Sequence, residues 1–153
     1  MSRTRDELAG VVELFGALTG AELEQALFEL AFKQGKEVDE DAFAAEIEGA
    51  IEEYYLVETD DEEPLLIAGP VAFPSLPENA TDLPHILDVE DRQVDRAAAA
   101  ETVADRLLAD AQAAADAEDA ERAATLVDVS YDLEAWAPVA VDDVRETLDP
   151  VLS

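Results

Sequence analysis

Apolar positions in the first third of the chain recur at helical spacing, and each run opens on a start signal. Thr4 and Glu7 have the offset of a capping box, and Leu8, Val11, Val12, Phe15 and Leu18 follow at the period of one helix face. Thr19 and Glu22 repeat that offset ahead of Leu23, Leu27, Leu30, Phe28, Ala31 and Phe32, a set wide enough for a largely buried helix that Gly35 ends. Asp39 is placed to cap a third helix, with Phe43, Ile47, Ile51 and Tyr54 on one face and Glu46, Glu48, Glu52 and Glu53 mostly on the other. The period then changes. Residues 55–59 and 64–68 flank the acidic run Asp60-Asp61-Glu62-Glu63 and predict two short strands joined as a hairpin. Three helices and a hairpin is the element order of a winged helix-turn-helix, a likeness of fold that carries no function by itself.

Five of the seven prolines lie between Pro64 and Pro84, which predicts an extended crossing segment and excludes regular helix there. Val71, Phe73, Leu76, Leu83, Ile86, Leu87 and Val89 are too apolar for a free tether, so the segment is expected to lie against the body of the protein. Beyond it, Val94 to Ala117 is alanine-rich, with Ala100, Val103, Ala104, Leu107, Ala111 and Ala114 forming a stripe of small residues suited to close helix packing. A helix from about Asp119 to Val129, an irregular stretch Ser130 to Pro138, and a helix capped by Asp142 with Val144, Leu148 and Val151 complete the chain. The expected fold is mostly α (α+β). Residues 1–70 are its winged-helix-like part, 71–93 the proline-rich crossing, and 94–153 a helical part packed on the first as one compact unit.

Charge changes the picture more than composition does. Of 153 residues, 39 are Asp or Glu and 9 are Lys or Arg, a formal charge of −30, while 49% are hydrophobic. A chain of this size can bury roughly 70% of its unfolded surface, so it has the means to fold. The acidic excess is even: 4 basic residues stand against 19 acidic over 1–70, and 5 against 20 over 71–153. Such a chain repels itself in dilute buffer, whereas at 1 M salt the screening length is only about 3 Å. The expected solvent is therefore a salt-rich cytoplasm. Attraction to nucleic-acid phosphates or anionic lipid needs clustered Lys and Arg, and the chain lacks it. Zero cysteines exclude disulfides and thiolate chemistry. The N-terminal residues precede no apolar run of signal-peptide or membrane-span length, and the sequon Asn79-Ala80-Thr81 matters only in an exported chain.

The runs Arg5-Asp6-Glu7-Leu8-Ala9-Gly10-Val11-Val12-Glu13-Leu14-Phe15-Gly16-Ala17-Leu18-Thr19, Leu83-Pro84-His85-Ile86-Leu87-Asp88-Val89 and Tyr131-Asp132-Leu133-Glu134-Ala135-Trp136-Ala137-Pro138 are similar to a family of small acidic proteins of halophilic archaea, a domain of unknown function. The resemblance spans nearly the whole chain. It implies a salt-loving host and a cytoplasmic protein, and it hands over no functional residue, because the family has no assigned activity.

Candidate chemistry is sparse. Asp82, His85 and Asp88 are spaced by three, and an imidazole with two carboxylates is a sensible divalent-metal set. Acids are so frequent that a flanking pair has little specificity, and Pro84 opposes an ordinary helix that would align them. A histidine packed on apolar chain is the plainer reading. There is no nucleophile elbow, phosphate-cradling glycine loop, His-Glu-x-x-His or dinucleotide fingerprint, so neither an enzyme nor a cofactor is expected. In the winged-helix order, the helix that would enter DNA carries glutamates and no Lys or Arg. Nucleic-acid binding in the usual mode is disfavoured, and only Arg3, Arg5, Lys33 and Lys36 could make a basic edge. A carboxylate-dependent metal hydrolase is a third alternative. The leading expectation is a protein-interaction module, with a protein partner or a homodimer and no membrane. Its contact candidates are Phe73, Leu76, Pro77, Tyr131, Trp136 and Pro138, large apolar residues outside the regular periodicity.

Overall fold

In the computed structural model, which describes residues 5–33, 35, 40–59, 62–77, 80–87, 89 and 92–152, the first helix α1 is Arg5–Phe15. Gly16 ends it at φ +90°, donating its N–H to Glu13 O at 3.1 Å, a conformation that favours glycine. The chain then turns into a two-residue strand, β1 (Leu18–Thr19). Leu18, read from the sequence as part of the first helix face, is a strand residue because Gly16 breaks the helix before it. The Thr19–Glu22 capping box is real. Thr19 N–H donates to Glu22 Oε1 at 2.8 Å, and Glu22 N–H to Thr19 Oγ1 at 3.1 Å, opening α2 (Gly20–Lys33). Thr4 and Asp39, expected to cap the first and third helices, lie outside the described residues.

The next helix, α3 (Glu40–Glu52), leads to β2 (Leu56–Glu58) and β3 (Leu65–Ala68), which pair antiparallel as expected for the hairpin. β1 adds to the other edge of β3, opposing Leu18 to Leu66 and Thr19 to Leu65, so the sheet order is β1-β3-β2. The core beneath unites Leu8, Val11 and Val12 of α1, Leu23, Leu27 and Leu30 of α2, Ile47 of α3, and Leu56 and Leu66 of the sheet.

Ala80, Leu83 and Leu87 join the same core from the proline-rich segment. That segment is not wholly extended: a 3-10 turn at Ala80–Asp82 runs into a short helix, α4 (Leu83–Ile86). Pro84 permits this because it sits in the first turn, where its missing N–H has no intrahelical partner to lose.

The chain divides into two compact units, residues 1–94 and 95–153. In the second, Asp95 caps α5 (Arg96–Asp116) by accepting the N–H groups of Ala97 and Ala98 at 3.0 and 3.3 Å. Ala99, Ala100, Val103, Leu107, Ala111 and Ala114 are its buried stripe. Glu118 turns the chain at φ +54°, and Asp119 caps α6 by accepting Arg122 N–H at 3.0 Å.

α6 spans Ala120–Trp136, which corrects the irregular stretch expected from Ser130. Ser130 does not break the helix because its hydroxyl donates back to Val127 O at 2.5 Å, and Leu133 continues the buried row of Ala123, Leu126 and Val129. The helix stops where Ala137, the residue before Pro138, turns extended. The last helix, α7 (Asp142–Leu152), packs on both α5 and α6. Asp142 lies within its first turn and holds Arg145 at 2.6 Å, and does not act as the expected cap. Among the described residues no helix is long and apolar enough to cross a membrane.

Candidate functional site

Residues 72–77 form the most distinctive surface of the first unit. Pro74 and Pro77 stiffen a stretch that has few N–H groups to satisfy, and Asp6 in the first turn of α1 takes two of them. Its Oδ1 accepts Phe73 N–H at 3.0 Å, and its backbone carbonyl accepts Ser75 N–H at 3.1 Å. One helical turn further on, Gly10 lets the segment approach closely: a Cβ there would lie 2.0 Å from the Ser75 carbonyl oxygen. The outcome is a fixed backbone that leaves Phe73 83% and Leu76 49% exposed. Pro77 faces inward and is buried, which removes it from the contact candidates.

α2 carries a second aromatic surface that its sequence reads as core. Leu23, Ala26, Leu27, Leu30 and Ala31 already fill the buried face, so Phe28 and Phe32 are displaced outward, 40% and 72% exposed. Their spacing of four, offset from the leucines, is the signal that marks a separate face. Beside them lies a groove of about 370 Å³ lined by Ala21, Glu24, Gln25, Phe28 and Phe43.

The aromatic candidates of the second unit are engaged by cations. The Arg96 guanidinium lies 4.9 Å from the ring centre of half-buried Trp136, and that of Arg145 lies 4.4 Å from the exposed Tyr131 ring. Both rings are helical, on α6, which explains why they do not form an irregular contact loop. Pro138 just beyond is exposed. Arg145 also reaches Ser130 Oγ and Glu134 Oε2 at 3.0 Å each. This partner holds the Glu134 carboxyl below its ordinary range, and Glu134 in turn raises the guanidinium.

Asp82 is exposed, and its carboxylate lies 3.9 Å from Lys33 Nζ. The side chain of His85, and Asp88 altogether, lie outside the described residues. Among the described residues no three His, Cys, Asp or Glu side chains converge to hold a metal ion. Of the suggested basic edge, Arg3 and Lys36 lie outside the described residues, while Arg5 stands over the Tyr55 ring at 5.9 Å. The exposed face of α3 is formed by Asp41, Ala44, Ala45, Glu48 and Glu52.

A further ion pair joins two residues far apart along the chain. Arg92 grips Glu22 through two parallel bonds, NH1 to Oε1 at 2.6 Å and NH2 to Oε2 at 3.1 Å. Arg92 keeps the Glu22 carboxyl below its usual range against the opposing effect of burial, with the capping bonds at Thr19 lowering it further. Local spacing carries no signal for it, since 70 residues separate the partners. On α6, burial and the neighbouring Asp128 push Asp132 upward.

These features define a mostly helical α+β chain with a small antiparallel sheet and two exposed aromatic surfaces on its first unit. The chain belongs to a family of unknown function, DUF7109, whose model matches residues 6–153. No curated protein and no solved structure matches it.

Proposed function

We propose that the protein is a non-enzymatic protein-interaction module of a salt-rich cytoplasm, docking a protein partner through Phe73 and Leu76. The observation that carries this reading is the fixed display of Phe73, whose backbone is bound to Asp6 while its ring stays in solvent. An exposed aromatic side chain on a fixed backbone has the geometry of an interface anchor, and aromatic anchors are enriched at protein interfaces. The charge of −30 supports the choice of solvent.

The helix order and the β1-β3-β2 sheet support a winged-helix architecture for residues 1–70, and with it a second reading, transcription-associated DNA binding. The acidic outer face of α3 argues against the usual mode: screening by salt removes repulsion from phosphates but supplies no donor for base edges. A carboxylate-dependent metal hydrolase has less support, resting on Asp82, His85 and Asp88 alone.

Affinity capture with the full chain in about 3 M KCl tests the leading reading, a salt at which charge-driven contacts are screened within roughly 2–3 Å. Proteins retained by the wild type should be lost with Phe73→Ser, a substitution at an exposed ring that leaves the core intact. Identical retention by both chains would refute a partner site at Phe73.

A further inference from the structure

We infer that the groove between α2 and α3 is an arginine-binding site, which takes the side chain of an arginine presented by a partner protein. The site is separate from Phe73 and does not depend on it. Ala21, Glu24, Gln25 and Phe28 are spaced so that they share one strip of α2, and Phe43 of α3 supplies the other wall of the groove of about 370 Å³. Two phenyl rings therefore stand with one carboxylate, that of half-buried Glu24, and one carboxamide.

The second unit of this chain shows what such a set of groups holds. There the Arg145 guanidinium lies 4.4 Å from the ring centre of Tyr131 and donates to Glu134 Oε2 at 3.0 Å, so one cation satisfies an aromatic ring and a carboxylate together. The α2–α3 groove brings together the same two kinds of group, a carboxylate beside aromatic rings, at the surface of the first unit.

Concentrated salt decides which cation the groove selects. A potassium ion offers charge alone, and in 1 M salt that attraction is screened within about 3 Å. A guanidinium adds a planar, weakly hydrated face that stacks on rings, and a fork of N–H donors that meets a carboxylate through two parallel bonds. Two of its five N–H groups serve Glu24, which leaves others for the amide oxygen of Gln25. An ammonium brings the charge without the plane, so lysine is the weaker ligand. Ala21, Gln25 and Phe28 are exposed, so the groove lacks the enclosure of a small-molecule pocket, which buries roughly 70–90% of its ligand. A side chain entering from a partner's backbone needs no such enclosure. An arginine-bearing partner is also one that a chain of −30 attracts.

The test is a titration of the isotope-labelled full chain in about 1 M KCl with acetyl-glycyl-arginyl-glycinamide, followed through its backbone amide signals. Signals of residues 21–28 and 43 should move, with a dissociation constant on the order of 1–10 mM for a single side chain. The lysine peptide, and the citrulline peptide that keeps the shape and loses the charge, should each bind at least about fivefold more weakly. Glu24→Gln should weaken the arginine peptide by about fivefold or more, and Phe28→Ala by about threefold. Both side chains lie outside the buried face of α2, so helical circular dichroism should stay unchanged. Glu48→Gln, on the exposed face of α3, removes the same charge elsewhere and should leave binding intact. Unmoved groove signals at about 50 mM peptide, a lysine or citrulline peptide that binds as tightly as the arginine one, or wild-type binding by Glu24→Gln would overturn the inference. Should the groove fail while capture still depends on Phe73, only the arginine site is refuted. Should the groove bind while capture ignores Phe73, only the Phe73 site is refuted.

Discussion

Glu22 does two jobs with one carboxylate, accepting Thr19 N–H and both prongs of Arg92, while its backbone N–H donates to Thr19 Oγ1 to close the capping box. Hydrogen bonds between charged groups are worth more than neutral ones, and breaking this set would leave a largely buried guanidinium without its main partner. Glu22→Gln is expected to cost roughly 1–2 kcal/mol in urea unfolding at neutral pH. The sign of its pH dependence follows from the lowered carboxyl. Its stabilisation is fully present above the ordinary value of 4.5 and is lost as pH falls through the lower folded value. Stability of the wild type should therefore decline on acidification more steeply than that of Glu22→Gln, a difference that equilibrium unfolding between about pH 6 and pH 3 would read. The capping half of this arrangement was legible in the sequence from a three-residue offset. Arg92 was not, because nothing local to either residue records a partner so distant along the chain.

Among the elements, those with a repeated apolar face or a strong turn signal were readable, and those with neither were not. The α1, α2 and α3 regions announce themselves by repeated apolar faces, and the hairpin by its alternation around an acidic turn. β1 has two residues, too few to display any period, and its leucine mimics the next position of the α1 face. The end of α6 was missed for the opposite reason: Ser130, Tyr131 and Trp136 resemble loop chemistry, but the buried row through Leu133 outweighs their weak local preferences. For the candidate site, Phe73 and Leu76 stand out by lying outside any period, while Phe28 and Phe32 share the apolar run of α2 and are displaced only because Leu23, Ala26, Leu27, Leu30 and Ala31 already fill its buried face. The joint between α1 and residues 72–77 offers a direct check at this scale. Gly10→Ala forces the segment away from the helix, so it should cost roughly 1–3 kcal/mol and weaken Phe73-dependent capture together. A Gly10→Ala chain with both stability and capture intact would show that the close approach does not position Phe73.

For the molecule as a whole, the acidic excess is shared by both compact units: 5 basic against 24 acidic residues in 1–94, and 4 against 15 in 95–153. Neither unit has enough basic residues to neutralise its acids by internal pairing, and Arg92 and Arg145 are committed to Glu22 and Glu134. The melting temperature should accordingly rise steeply between about 0.1 M and 3 M KCl, concentrations whose screening lengths run from roughly 10 Å to under 3 Å. A melting temperature independent of KCl would contradict a role for the charge in salt adaptation.

Asp6 also couples the displayed ring to the helix that carries it. Two amide protons, those of Phe73 and Ser75, end on one residue of α1, so anything gripping the ring loads the first turn of that helix through a pair of short links. Those two protons are therefore built-in reporters: their exchange with deuterated solvent should slow when the ring is occupied, and hasten when Asp6 can no longer hold them.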